Sequence, residues 1–189
     1  MKTVQASRPG TVRIIGGRWR GRRLQLPAVT ELRPTPDRVR ETLFNWLAPV
    51  VDGARCLDLY AGSGALGVEA LSRGAADVCF VDSSAAAAQC LRVNLDKLGA
   101  LGARVEELQA ETYLAAIPEP FDIVFLDPPF ATNALENLCT LLERGWLKPG
   151  SRIYLESSRA QSLPALPPGW RLLREKTAGQ VRFALAQRD

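Results

Sequence analysis

The sequence predicts an α/β fold: a mostly parallel sheet of seven strands with helices on both faces, a C-terminal antiparallel hairpin, and a small N-terminal β-hairpin and helix ahead of it. Three observations carry that prediction. From about residue 54 onward short β-rich runs alternate with helical patterns. The first runs are apolar throughout instead of at every second position, so both faces of their sheet must be covered. A glycine turn, Gly62-x-Gly64-x-x-Gly67, joins the first run to the first helix of this body. At 189 residues and 47% hydrophobic, the chain suits one two-sided core with a small appendage. We place the appendage at residues 1–50 and the body at 51–189.

The appendage is basic. Residues 1–40 hold ten Lys/Arg against Glu31 and Asp37, a local charge of +8 within a chain of net +4. A basic flank beside a mildly acidic body points to a polyanion touching one end, because each arginine can release a counterion from a phosphate backbone. "VRIIGGRWRGRRLQL", residues 12–26, reads as a β-hairpin: an apolar strand, a Gly-Gly turn, then Arg18, Trp19, Arg20, Arg22 and Arg23 as prongs. Trp19 could stack on a base or pack on the body. "RPTPDRVRETLFNWLAP" follows, with Thr35 as N-cap and Pro36 at the first helical position. Val39, Leu43, Trp46 and Leu47 then form one apolar face, up to Pro49.

In the body the predicted strands are "ARCLDLY", "DVCFVD", "ARVEEL", "FDIVFLD" and "SRIYLES". The predicted helices are 65–72, 85–98, 111–116 and 134–146. The tail "WRLLREKTAGQVRFALAQR" supplies two alternating strands around a Thr-Ala-Gly-Gln turn, an antiparallel hairpin for the sheet's edge.

Composition excludes several chemistries. There is no histidine, so no His-based triad, His-metal site or imidazole acid-base scheme exists. Cys56, Cys79, Cys90 and Cys139 stand singly in apolar segments and read as reduced, buried thiols, not as disulfides or metal ligands. No secretory leader and no apolar run of about 20 residues is present, which predicts a cytoplasmic protein without a membrane partner. A monomer is the expected state.

The functional reading rests on acids at strand ends. Glycines in the turn allow close ligand approach, and Asp82, twenty residues after Gly62, suits the ribose hydroxyls of an adenosine. Nicotinamide dinucleotide and S-adenosylmethionine compete for that site. Asp58, four residues before Gly62, favours a ligand with an ammonium and a sulfonium over a pyrophosphate. "DPPF", Asp127 to Phe130, ends the fourth body strand beside the crevice next to the first. Each proline holds its predecessor extended and lacks an N–H, so the segment is a stiff lip of acceptors. The Asp127 carboxylate and Pro128 carbonyl can receive both hydrogens of a planar exocyclic amine while the Phe130 ring stacks on its base. Held so, the amine lone pair is aimed at a methyl donor. A hydrolytic Asp82/Asp127 pair is disfavoured, since their strands flank the first on opposite sides.

At these residues the chain resembles the class I S-adenosylmethionine-dependent methyltransferases, and over nearly its full length their RsmD type. The resemblance lies in "IIGGRWRGRRL", "LRPTPDRVRETLFNWL", "LDLYAGSGALGVEAL", "FLDPPF" and "EKTAGQVRFALAQR". It implies a Rossmann-like class I fold and methylation of guanine N2, at nucleotide 966, in 16S ribosomal RNA of a small-subunit assembly intermediate. It implies Asp58, Gly62 and Gly64 at the methionine part, with Tyr60 and Ser63 in the same turn. Asp82 and Ser83 fall at the ribose, and Gln109 with Ala110 at the adenine edge. Asp127, Pro128, Pro129 and Phe130 form the implied acceptor site, with no metal. Arg18, Trp19, Arg20, Arg22, Arg23, Arg38 and Arg40 supply the implied RNA contacts. Ser83 stands where an arginine is common in the family, and Gln109 where an Asn or Asp is usual. Rival readings are an amine methyltransferase acting on DNA adenine N6 or a protein glutamine amide, and a non-catalytic ribosome-assembly factor.

Overall fold

The computed structural model describes residues 10–27, 35–129 and 134–189. Among the described residues nine strands form two sheets, accompanied by five α-helices. β1 (Thr11–Arg13) and β2 (Arg23–Gln25) pair antiparallel, Val12 facing Leu24. α1 (Asp37–Leu47) follows. The body runs β3 (Arg55–Asp58), α2 (Ala65–Ser72), β4 (Asp77–Val81), α3 (Ala85–Leu98), β5 (Ala103–Glu106), α4 (Ala110–Leu114), β6 (Phe121–Leu126), α5 (Ala134–Leu142), β7 (Leu147–Ser158), β8 (Trp170–Ala178) and β9 (Val181–Arg188).

The large sheet has the order β5-β4-β3-β6-β7-β9-β8. β5 through β7 are mutually parallel, and β9 inserts antiparallel between β7 and the edge strand β8. This is the predicted α/β sheet with its closing hairpin. The chain builds outward from β3 through β4 to β5, then crosses to β6 on the other side of β3. The strand order therefore reverses at β3/β6, where open α/β sheets take their ligands.

Both faces are buried, which explains the uniformly apolar strands. Cys56, Val78, Phe80, Ile123, Phe125 and Tyr154 point into one core cluster. Leu57, Cys79, Val81, Val124, Leu126, Ile153 and Leu155 point into the other, against α4 and α5. The first cluster also contains Ile14, Trp19 and Leu24 of the hairpin region and Leu43, Phe44 and Leu47 of α1, so the basic appendage covers the same sheet face as α2 and α3. Trp46 of α1 stacks on Phe183 of β9 with ring centroids 5.4 Å apart.

Local details differ from expectation where tertiary contacts intervene. The Gly-Gly pair does not close a two-residue hairpin turn. Backbone pairing continues to Ile14 and Arg22, and the loop between carries a 3-10 turn at Gly17–Trp19. That loop is docked on α2: Glu69 accepts the N–H groups of Ile15 and Gly16 at 2.8 and 2.7 Å, and Ser72 Oγ accepts that of Trp19. Thr35 does not cap α1. Pro36 is the N-cap residue, no side chain caps the helix, and the Thr35 hydroxyl is engaged elsewhere. α5 ends at Leu142 because Trp146 is drawn into the second cluster, its indole N–H donating to Leu114 O. The four cysteines are free thiols, three buried and Cys90 half-buried. Among the described residues no helix is long and apolar enough to cross a membrane.

Candidate active site

Asp58 ends β3, Asp82 follows β4, Asp127 follows β6 and Glu156 lies in β7. Strand register puts these four acids on one sheet face. Asp58 shares the parity of Cys56, Asp82 of Phe80, Asp127 of Phe125 and Glu156 of Tyr154, all residues of the first core cluster. They therefore converge at the carboxyl ends of the strands around the reversal point, beneath the N-terminal appendage.

The glycine turn is built by its acids. Asp82 accepts the N–H groups of Gly62 at 2.7 Å and Ser84 at 2.8 Å, one on each oxygen. Asp58 Oδ2 accepts the Gly67 N–H at 3.0 Å, within the first turn of α2. Gly64 caps that helix in the left-handed region, φ 78°. At Gly67 a Cβ would lie 2.2 Å from Phe80 Cε1, so only glycine lets α2 approach β4 this closely. Gly62, Ser63 and Gly64 are buried and Tyr60 is half-buried. The Tyr60 hydroxyl reaches Glu111 Oε1 of α4 at 3.5 Å, and burial beside that carboxylate pushes the phenol up to about 12. Gln109 is the exposed N-cap residue of α4 and Ala110 is buried just inside it; Ser83 is exposed.

Electrostatically the site is a cluster of acids with no basic partner among the described residues, and the cluster resists ionisation. Asp58 is 2% exposed; burial raises its carboxyl to about 7, assisted by Asp127 and Asp82 and opposed by the Gly67 and Tyr60 N–H groups. Burial likewise raises Asp127 to about 6, opposed by a hydrogen bond from Thr35 Oγ1 to Asp127 Oδ2 at 3.2 Å. Glu156, 3% exposed, is raised by burial and then by Asp127, and it accepts the Tyr154 hydroxyl at 2.5 Å. No basic side chain among the described residues contributes to the shifts of Asp58, Asp127 or Glu156. A ligand bringing positive charge would relieve these carboxylates, whereas a pyrophosphate would add to their repulsion. The donor set thus fits the cationic S-adenosylmethionine.

The acceptor lip is half-buried at Asp127, buried at Pro128 and exposed at Pro129; Phe130 lies outside the described residues.

The basic residues divide. Arg18, Arg20, Arg22, Arg23 and Arg38 are exposed. Two residues expected to touch RNA are not on the surface. Trp19 is 7% exposed and packed in the first core cluster, with Arg18 stacked 4.0 Å from its ring centroid. Its ring pays for the hairpin loop's attachment to α2 and is not presented to a base. Arg40 is fully buried: its guanidinium donates to Thr35 O, Arg13 O and Asp37 Oδ1 and lies 3.6 Å from Glu69 Oε2. A charge enclosed by these acceptors cannot also pair with phosphate. Sequence reasoning missed Thr35, Tyr154 and Glu156. Thr35 sits before Pro36 and so reads as a cap, and the two strand residues read as ordinary sheet.

The family model described as Conserved hypothetical protein 95 matches residues 12–187. The chain is similar to the Ribosomal RNA small subunit methyltransferase D of Escherichia coli, 52% identical over 190 residues, with 100% of this chain and 96% of the relative covered. It is also similar to the protein of the same name from Haemophilus influenzae, 45% identical, covering 99% and 100%. Among solved structures, the Escherichia coli protein yhhF, assigned as a methyltransferase, superposes with a TM-score of 0.88 at 50% identity, covering 95% of this chain and 99% of that one.

Proposed function

The chain belongs to the Conserved hypothetical protein 95 family, the RsmD-type methyltransferases, and from that premise we propose that it methylates the exocyclic N2 of a guanine, nucleotide 966 by the family resemblance, in 16S ribosomal RNA of the small subunit or its assembly intermediate. The observation that carries this reading is the convergence of Asp58, Asp82 and Asp127 around the β3/β6 reversal, Asp58 buried and the other two half-buried, without a basic partner among the described residues. S-adenosylmethionine supplies an electrophilic methyl group on a sulfonium when bound. Asp58 and the turn from Tyr60 to Gly64 hold the methionine end, Asp82 accepts the ribose hydroxyls, and Gln109 with Ala110 borders the adenine.

The chain's own contribution to the chemistry is placement and proton handling. The guanine amine is a poor nucleophile because its lone pair is delocalised into the ring. Asp127 and the Pro128 carbonyl accept its two N–H bonds, which favours a pyramidal nitrogen with its lone pair directed away from the lip. Asp127, with its carboxyl raised to about 6, then takes the proton that the nitrogen loses on methylation. It is ionised at neutral pH yet more basic than an ordinary aspartate. Arg18, Arg20, Arg22, Arg23 and Arg38 hold the RNA backbone while the base is unstacked into the site.

Labelled cofactor offered with small ribosomal subunits, naked 16S RNA, DNA and a glutamine-bearing release-factor-like protein tests the reading. We expect label in the subunit RNA, released on digestion as N2-methylguanosine, and none with Asp127→Ala. Label confined to DNA or protein, or full transfer by Asp127→Ala, refutes it.

A further inference from the structure

We propose that Thr35 is a positioning residue of the acceptor site, its hydroxyl holding one oxygen of Asp127 so that the other faces the substrate amine. The inference rests on the reading of Asp127 as the amine acceptor.

Thr35 is 5% exposed and lies outside the helix it precedes, so its hydroxyl serves no cap. It reaches instead across 92 residues of sequence to Asp127 Oδ2, at 3.2 Å. Its backbone is held from the other side: the buried Arg40 donates Nε to Thr35 O at 3.3 Å, and donates Nη2 to Arg13 O at 2.8 Å and Asp37 Oδ1 at 2.6 Å. Arg40 also abuts Glu69, which receives the hairpin loop's N–H groups. Hairpin, α1 and α2 therefore meet at one guanidinium, and that guanidinium fixes the residue that fixes Asp127. Thr35 further borders a cleft of about 300 Å³ whose walls include Arg13, Arg23 and Asp37. One residue thus separates a basic cleft on the appendage from the acceptor carboxylate.

A carboxylate has two equivalent oxygens, and rotation about its last bond exchanges them. Donation from Thr35 to Oδ2 breaks that equivalence and leaves Oδ1 for the amine, a preorganisation of the kind that sustains rate without adding affinity. It also favours the charged form that the amine requires. The other groups facing Asp127 act oppositely or not at all: Asp58 on β3 and Glu156 on β7 are acids, and the Tyr154 hydroxyl on β7 donates its hydrogen bond to Glu156.

The test compares Thr35→Val, which keeps the shape, with Thr35→Ser, which keeps the hydroxyl. Carboxyl-labelled aspartate is titrated by NMR in the full chain, with Asp127→Asn used to assign its signal. Asp127 titrates about one pH unit higher in Thr35→Val and unchanged in Thr35→Ser. On small subunits under saturating cofactor, Thr35→Val lowers kcat about tenfold or more, leaves KM for the subunit unchanged, and moves the acidic limb of the rate profile upward. Thr35→Ser restores all three. An unaltered Asp127 titration in Thr35→Val overturns the proposal. So does equal damage by Val and Ser, or a rise in KM at constant kcat. If the wild-type protein methylates no RNA while the carboxyl titration responds as stated, the functional reading falls and the positioning contact stands.

Discussion

Replacing Asp58 by Asn should stabilise the ligand-free protein while weakening its hold on the cofactor. Asp58 is enclosed at the end of β3, and its carboxyl is raised to about 7 by burial, against about 3.9 for an unperturbed aspartate. That difference of about three pH units corresponds to about 4 kcal/mol by which the fold disfavours the ionised form. In the unfolded chain the group loses its proton near pH 4; in the folded chain it keeps it until near pH 7. Between those values unfolding releases a proton, so stability falls as pH rises, with the loss absent below about pH 4 and complete above about pH 7. From pH 5 to pH 8 this single group removes about 3 kcal/mol. Asn carries no charge and keeps one oxygen for the Gly67 and Tyr60 N–H groups, so the gain from removing the charge is an upper bound. Asp58→Asn should therefore exceed wild type at pH 8 by up to about 4 kcal/mol, roughly 8 to 16 °C in Tm for a chain of this size, with the advantage shrinking toward pH 4. Urea unfolding at pH 5 and pH 8, with isothermal titration of S-adenosylmethionine alongside, reads both effects. A variant less stable than wild type at pH 8, or one whose advantage does not depend on pH, would refute the account of Asp58 as an uncompensated buried charge.

Other substitutions separate framework from surface. Arg40→Ala removes one of the two arginines against the buried Glu69 and frees the backbone carbonyls of Thr35 and Arg13; it should cost about 3 to 5 kcal/mol, measured by denaturant midpoint, while the salt dependence of RNA binding by the folded fraction stays unchanged. Arg20→Ala and Arg23→Ala should each leave the midpoint in place and reduce the slope of log affinity against log salt by about 0.7 to 0.9, read by fluorescence titration with 16S RNA fragments. Gly67→Ala drives a methyl against Phe80 and Val78; we expect a loss of about 1 to 3 kcal/mol with cofactor affinity falling as α2 is displaced, checked by thermal melts with and without S-adenosylmethionine.

Much of this molecule is legible in one dimension. Uninterrupted apolar runs separated by helical periods dictate a parallel sheet covered on both faces, and the two core clusters divide the strand residues by simple parity. The spacing from Gly62 to Asp82 places an acid on the turn, because β4 lies parallel and in register with β3 and its end must arrive beside that turn. Asp58 and Asp127 follow from the same register rule. These features depend on period and strand length, which are local properties of the chain.

The fate of the appendage was decided elsewhere. Arginines and a tryptophan in a basic arm look alike on paper, yet Arg18 and Arg20 reach solvent while Trp19 and Arg40 are enclosed. Thr35 stands where a helix cap belongs and bonds to a carboxylate 92 positions away. Glu156 reads as a strand residue until β6 and β7 are laid side by side and it becomes the neighbour of Asp127. The physical reason is the same in each case: desolvation and hydrogen-bond partnership are set by what packs on top of a residue. That covering arrives from distant sequence only when the hairpin and α1 close over the sheet.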